Sequence, residues 1–192
     1  QHYMLRLPLD KGQVKDARKA QAITLEAFKN TLSELPKFKS ENDLGRFLEY
    51  QMLKESTAGL AFPSIVAGAK NATVLHYLKN DEKLKKGSMV LLDFGARVGT
   101  QHCDISRTIP VSGKYNPLQK LLYDICLDAQ TFHQKNVRPG RSINDVTQST
   151  WMFLENLLFE RFFAHGGIAK REYDRAGIEV TNSNAIRDGL VK

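Results

Sequence analysis

Two short apolar runs, Met89 to Phe94 and Cys103 to Val111, each carry an aspartate, and Asp93 and Asp104 stand eleven positions apart. The β-branched character of the runs and the Val98-Gly99 break between them predict two strands joined as a hairpin. With the turn centred on Val98 and Gly99, Asp93 faces Asp104 directly, with Cβ atoms about 4.5–5.5 Å apart. Like charges at that separation oppose folding unless something neutralises them. Hard divalent cations do so, and a carboxylate pair on a sheet can hold two ions about 3.5–4 Å apart, the arrangement that activates water for hydrolysis. The plainer reading sends both aspartates to solvent, or pairs them with Arg97 and Arg107.

The rest of the chain supplies a frame for such a hairpin. Val14, Ala17, Ala20, Ile23, Ala27 and Phe28 recur at helical spacing from Lys11 to Leu35, and Pro36 closes that helix. Ser40 with Asp43 reads as a second helix start, and Leu44, Phe47, Leu48 and Met52 give the helix an apolar face to about Ser56. Strands are then expected at Phe62 to Ala67 and Thr73 to Tyr77, followed by the hairpin runs. Asn116 before Pro117 opens a third helix to about Lys135, which Arg138, Pro139 and Gly140 break. Ser142 with Asp145 opens a fourth, rich in Trp151, Phe153, Leu154, Leu157, Leu158 and Phe162, and Gly166 and Gly167 stop it. The order is two helices, strands, two helices, and a polar tail with no assignment. It describes an α+β unit stopped partway, its second group of strands missing.

Composition narrows the class. The 192 residues, 42% hydrophobic, suffice for one core and do not require two independent domains. No apolar run reaches the length of a membrane span, and Gln1 to Asp10 lacks the order of a secretory signal, so a soluble cytoplasmic protein with no membrane partner is expected. Cys103 and Cys126 have neither zinc-knuckle nor disulfide-framework spacing and are read as reduced. The net charge of +7 is read as a solvated basic surface rather than a nucleic-acid site, because Lys83, Lys85 and Lys86 are mixed with Asp81 and Glu82.

The run Val-Leu-Leu-Asp-Phe-Gly-Ala from Val90, followed by Cys-Asp-Ile-Ser-Arg-Thr-Ile-Pro-Val-Ser-Gly-Lys-Tyr from Cys103 to Tyr115, resembles the signature segment of Xaa-Pro aminopeptidases and prolidases. Phe62-Pro63-Ser64-Ile65-Val66-Ala67-Gly68 with Asn71, and Leu75-His76-Tyr77 with Asn80, are similar to that family's approach to its site. The likeness runs from about Leu5 to Gly167. It implies the pita-bread fold, incomplete at the C-terminal end, as a single truncated catalytic domain. The first αβ half then spans about 1–115, the helical part of the second half about 116–167, and the unassigned tail 168–192. It implies two divalent metal ions, manganese in this branch, with Asp93 and Asp104 as the ligands of the first half and Asp104 bridging. His76 matches a catalytic histidine near the substrate; without the resemblance it reads as a histidine hydrogen-bonded within the sheet.

The implied reaction removes the N-terminal residue from peptides with proline at the second position, and a homodimer is compatible with it. The family's His-Gly-x-x-His segment and two glutamate motifs are not matched from Ile168 to Lys192, and His165-Gly166-Gly167 reads as a helix stop. The expectation is therefore a fragment that is inactive alone. A methionine aminopeptidase-like enzyme and a non-catalytic peptidase-shaped binding module are the alternatives. Retention of both aspartates speaks against the binding module, since a carboxylate pair is costly to keep without cations.

Overall fold

The computed structural model describes residues 8–56 and 58–163. Helix α1 spans Lys11–Glu34 and starts in a capping box: Asp10 accepts from the Gln13 amide at 2.8 Å, and Gln13 accepts from the Asp10 amide at 2.9 Å. Helix α2, Glu41–Leu53, is capped as the sequence predicts, Asp43 donating its amide to the Ser40 hydroxyl. Leu44, Leu48 and Met52 bury one face of α2 against Ala20, Ile23 and Ala27 of α1.

Three antiparallel strands form the sheet in the order β1 (Ile65–Gly68), β2 (Met89–Phe94) and β5 (Ile105–Pro110). Side chains alternate across β2 with the period of two that a strand imposes. Val90, Leu92 and Phe94 are fully buried in the core with both helices, and Phe94 stacks on Phe28 with ring centroids 5.5 Å apart. Met89, Leu91 and Asp93 take the other face, where a smaller cluster of Ile65, Ala67 and Tyr77 packs with Leu91. The sheet thus has a closed face toward the helices and a more open face that carries Asp93.

Beyond Phe94 the hairpin continues as the short ribbon β3 (Arg97–Val98) and β4 (Gln101–His102). The ladder breaks between the two parts. At the break Ala96 donates its amide to the Thr24 hydroxyl on α1 at 3.0 Å, the Gly95 carbonyl accepts from Ala61, and Cys103 donates to the Ala96 carbonyl. Gly95 lies so close to the Cys103 carbonyl that a Cβ there would sit 1.7 Å from its oxygen. Only glycine fits that approach.

Two expected strands change. The segment Phe62 to Ala67 becomes strand only at Ile65, and Thr73 to Tyr77 is not a strand. A 3-10 turn occupies Ala69–Thr73, Leu75 and His76 form a turn, and His76 has φ 53°, which ends any extended run. The β-branched and aromatic residues there gave a strand signal, and polar contacts from a distant helix overrode it. The last expected strand is also shorter, beginning at Ile105 rather than Cys103.

The chain divides into two compact units, Gln1–Tyr115 and Asn116–Lys192. Within the second, α3 (Pro117–Asn136) opens with a capping box between Asn116 and Gln119, and Pro117 occupies the first turn. Helix α4 (Ile143–Leu158) starts at Ser142, whose hydroxyl accepts from Asn144, and a π turn follows over Phe159–Phe163. The helices pack through Ile125, Ala129, Val146 and Leu157, and Phe132 stacks on Phe153 at 4.4 Å. Trp151 and Met152 are exposed. The expected stop at Gly166 and Gly167 lies outside the described residues. Among the described residues no helix is long and apolar enough to cross a membrane.

Candidate metal centre

Strand β2 positions Asp93 by alternation, since the same periodicity that buries Leu92 and Phe94 turns Asp93 to the opposite face. Its pairing partner on β5 is Ser106, not Asp104. The Ser106 hydroxyl donates to Asp93 Oδ1 at 3.0 Å. The directly opposed arrangement expected from a turn at Val98 and Gly99 is therefore corrected: Arg97 pairs with His102 and Val98 with Gln101, so the turn is Gly99-Thr100. Gly99 takes φ 56°, a left-handed conformation that valine avoids, and this shifts the turn.

Asp104 lies in the break just before β5, two residues before the Ser106 that pairs with Asp93. The two carboxyls interact. Partial desolvation, then the charge of Asp93 and a hydrogen bond with it, raise the Asp104 carboxyl above its ordinary range.

Arg97 and Arg107 do not neutralise the pair. Arg97 donates through Nε and Nη2 to the Ala58 carbonyl, Arg107 donates to the Ser106 carbonyl, and among the described residues no ion pair includes either aspartate. Carboxylate oxygens are donors of the kind hard divalent cations prefer, so the pair fits such ions in kind. In number it falls short. Among the described residues no group of three or more histidine, cysteine, aspartate or glutamate side chains is placed to hold a metal.

His76 is exposed on the turn that follows the 3-10 segment, so the alternative of a histidine bonded within the sheet is not what forms. Its neighbour Tyr77 is buried on the face of the sheet that carries Asp93. One residue of this region is invisible to motif reading: Glu41. As the first residue of α2 it looks like an ordinary acid favoured by the helix dipole. In the fold it is fully buried and receives four hydrogen bonds, from the Gly68 amide at 2.7 Å, Asn71 Nδ2 at 2.9 Å, the Tyr77 hydroxyl at 2.9 Å and the Glu82 amide at 3.0 Å. The only advance signal was an acid immediately after a capping serine.

Burial, followed by the hydrogen bond and charge of Glu41, pushes the Tyr77 phenol up to about 12. A raised phenol binds its proton more tightly in the folded protein. Its contribution to stability is therefore complete below the ordinary value of 10.0 and is lost as pH rises toward about 12. Tyr77→Phe should cost about 1 kcal/mol near pH 8 through the lost hydrogen bond. Urea unfolding at successive pH values should show that gap closing or reversing by about pH 12. A constant gap would contradict the assignment.

Comparison with known proteins fits this geometry. Residues 15–172 match the profile of metallopeptidase family M24. The chain belongs to that family. It is 31% identical over 155 residues to the mitochondrial intermediate cleaving peptidase 55 of Arabidopsis thaliana, an alignment covering 80% of this chain and 31% of that protein. It is 30% identical to Xaa-Pro aminopeptidase 2 of Streptomyces coelicolor over 88% of this chain and 36% of that one. Zinc-substituted aminopeptidase P of E. coli, in complex with product, superposes with a TM-score of 0.76 at 26% identity, covering 90% of this chain and 39% of its own. Proline aminopeptidase P II of Yersinia pestis gives 0.75 at 29% identity, with the same coverage. This M24 chain thus has the α+β pita-bread fold of the aminopeptidase P structures in part, and spans about two fifths of their length or less.

Proposed function

We propose that this chain is the front part of a metallo-exopeptidase that removes the N-terminal residue from peptides with proline at the second position. The observation that supports the reading is the interaction of the Asp93 and Asp104 carboxyls, next to the Asp93–Ser106 pairing, with no ion pair to either among the described residues. The names of the relatives support the choice of substrate, since Xaa-Pro aminopeptidases of Streptomyces and of rat and an Xaa-Pro dipeptidase of Pyrococcus horikoshii share this region. Asp93 and Asp104 would hold a pair of divalent ions, which we take to be manganese. Bound there, such ions lower the pKa of water and polarise the substrate carbonyl.

In this reading the protein's own groups do three things. Asp93 is held at Oδ1 by the Ser106 hydroxyl, which leaves Oδ2 to serve an ion. Asp104, on the break before β5, would complete the pair of carboxylates that holds the ions. His76, on its exposed turn, steadies or moves a proton at the scissile amide. Two carboxylates are too few to fix such ions tightly, so the 192 residues alone are expected to be inactive. The free thiols Cys103 and Cys126 fit a reducing compartment, which we take to be the cytoplasm.

The test is release of the first residue from an Xaa-Pro peptide by the protein with its complete catalytic domain, in manganese and in chelator. Release that needs the metal and fails with a peptide lacking proline at the second position is expected. Equal cleavage of both peptides would refute the specificity, and no cleavage of either would refute the enzyme.

A further inference from the structure

All three non-glycine residues with positive φ among those described lie within one segment: Ala69 at 50°, His76 at 53° and Asn80 at 48°. Each left-handed residue of this kind is strained and persists only when its surroundings impose it. Asn80 explains part of the constraint. Its side chain caps the edge of β1 by accepting from the Val66 amide and donating to the Ser64 carbonyl, both at 2.8 Å, which pins the end of the segment. The beginning is pinned at Gly68 and Asn71, and the middle at Tyr77.

Those last three contacts converge on one carboxylate. Glu41 Oε1 accepts from the Gly68 amide and from Asn71 Nδ2, while Oε2 accepts from the Tyr77 hydroxyl and the Glu82 amide. Asn71 also donates to the Tyr77 oxygen at 3.1 Å, and the single phenolic proton lies between Glu41 and Asp81 Oδ1, at 2.9 and 3.2 Å. Every donor to Glu41 is neutral, and all belong to the end of β1 or to the segment that follows it. A fully buried acid at the start of α2 therefore ties the chain from Gly68 to Glu82 at four points, and His76 sits beside the third of them, Tyr77.

We infer that Glu41 is a positioning residue for His76: by holding Tyr77 it imposes the left-handed turn that presents the imidazole from the Asp93 side of the sheet. This rests on the role given to His76 above. Val74 and Leu75, on the other side of His76, have exposed side chains, and Val74 is held through its amide on the carbonyl of Asn71, whose side chain Glu41 also holds, so both sides of the turn lead back to Glu41. Glu41→Gln keeps the shape and destroys the pattern. Its amide nitrogen must face either the Gly68 and Asn71 donors or the Glu82 amide, and only the Tyr77 hydroxyl can reverse its role to accept.

The experiment has two arms and a control. In the 192-residue chain, the His76 imidazole resonances and its φ-dependent backbone coupling are recorded by NMR for the wild type, Glu41→Gln, Tyr77→Phe and Leu48→Ala, the last a core change outside the network. Both network variants are expected to shift the His76 signals and move its coupling toward extended values, while Leu48→Ala lowers the melting temperature and leaves them in place. In the protein with its complete catalytic domain, the network variants should lower kcat about tenfold or more with KM and bound metal unchanged, and Leu48→Ala should leave kcat unchanged. If Glu41→Gln does not fold, Tyr77→Phe decides alone. His76 signals that match the wild type in the network variants overturn the inference. A wild-type enzyme that cleaves nothing removes the catalytic reading, and the NMR arm still decides what positions His76.

Discussion

Gly95→Ala should be the most damaging single substitution in the first unit, with an expected loss of about 3 kcal/mol or more, beyond the range of ordinary overpacking. The added methyl would meet a backbone oxygen, that of Cys103, at 1.7 Å, and a main-chain carbonyl has no rotamer into which it can retreat. Either the Cys103 to Ala96 hydrogen bond opens or the Gly95 to Ala61 contact does. The shift would move the residue immediately before Asp104, so a divalent site built on Asp104 should weaken together with the fold. Thermal unfolding monitored by circular dichroism checks the first effect. A variant within 1 °C of the wild type would contradict the close approach.

Asp104→Asn should act in opposite directions on stability and on function. On the function proposed above, removing this carboxylate from the protein with its complete catalytic domain should reduce Xaa-Pro cleavage about 100-fold or more, in line with the cost of removing a metal ligand or its partners. In the metal-free chain the same change removes a repulsion. The Asp104 carboxyl is raised by burial and by Asp93, and a raised carboxyl favours folding only below its ordinary value of 3.8, that contribution disappearing as pH rises through the folded value. Asp104→Asn in chelator should therefore be as stable as the wild type or more so near pH 7, by about 0.2–1 kcal/mol for an exposed like-charged pair. The advantage should fade in acid, where the wild-type group takes up a proton. Denaturant unfolding at pH 7 and pH 4 distinguishes this from a structural aspartate, whose loss would destabilise at pH 7.

What could be read from the sequence was what depends on near neighbours or on parity. The caps at Ser40 and Asn116 join residues three apart, so the local residue types suffice. The hairpin brings the Asp93 and Asp104 carboxyls into interaction as its two runs suggest, although the register moves by two and sets Ser106 opposite Asp93. The turn itself was misplaced because Gly99's left-handed φ, not the centre of the polar interval, decides where the chain reverses. The strand expected at Thr73 to Tyr77 failed for a different reason. Glu41 reaches Gly68 across 27 positions and Glu82 across 41, and no local pattern announces a carboxylate that collects four donors at that range.

The break in the hairpin belongs to the same class. Gly95 and Ala96 follow directly on the run Met89 to Phe94, and Thr24, 72 residues earlier, takes the Ala96 amide. This places Asp104 at a strand boundary instead of within a strand. The ligand candidates were thus legible as residues, and the geometry that joins them was not.

The central claim is that Asp93 and Asp104 hold divalent cations jointly. Its most direct measurement is the manganese content of the protein with its complete catalytic domain, after gel filtration, beside Asp93→Asn and Asp104→Asn prepared identically. Two ions per chain in the wild type, with a loss of at least one in each variant, is the expected result. Equal manganese content in all three proteins would contradict it.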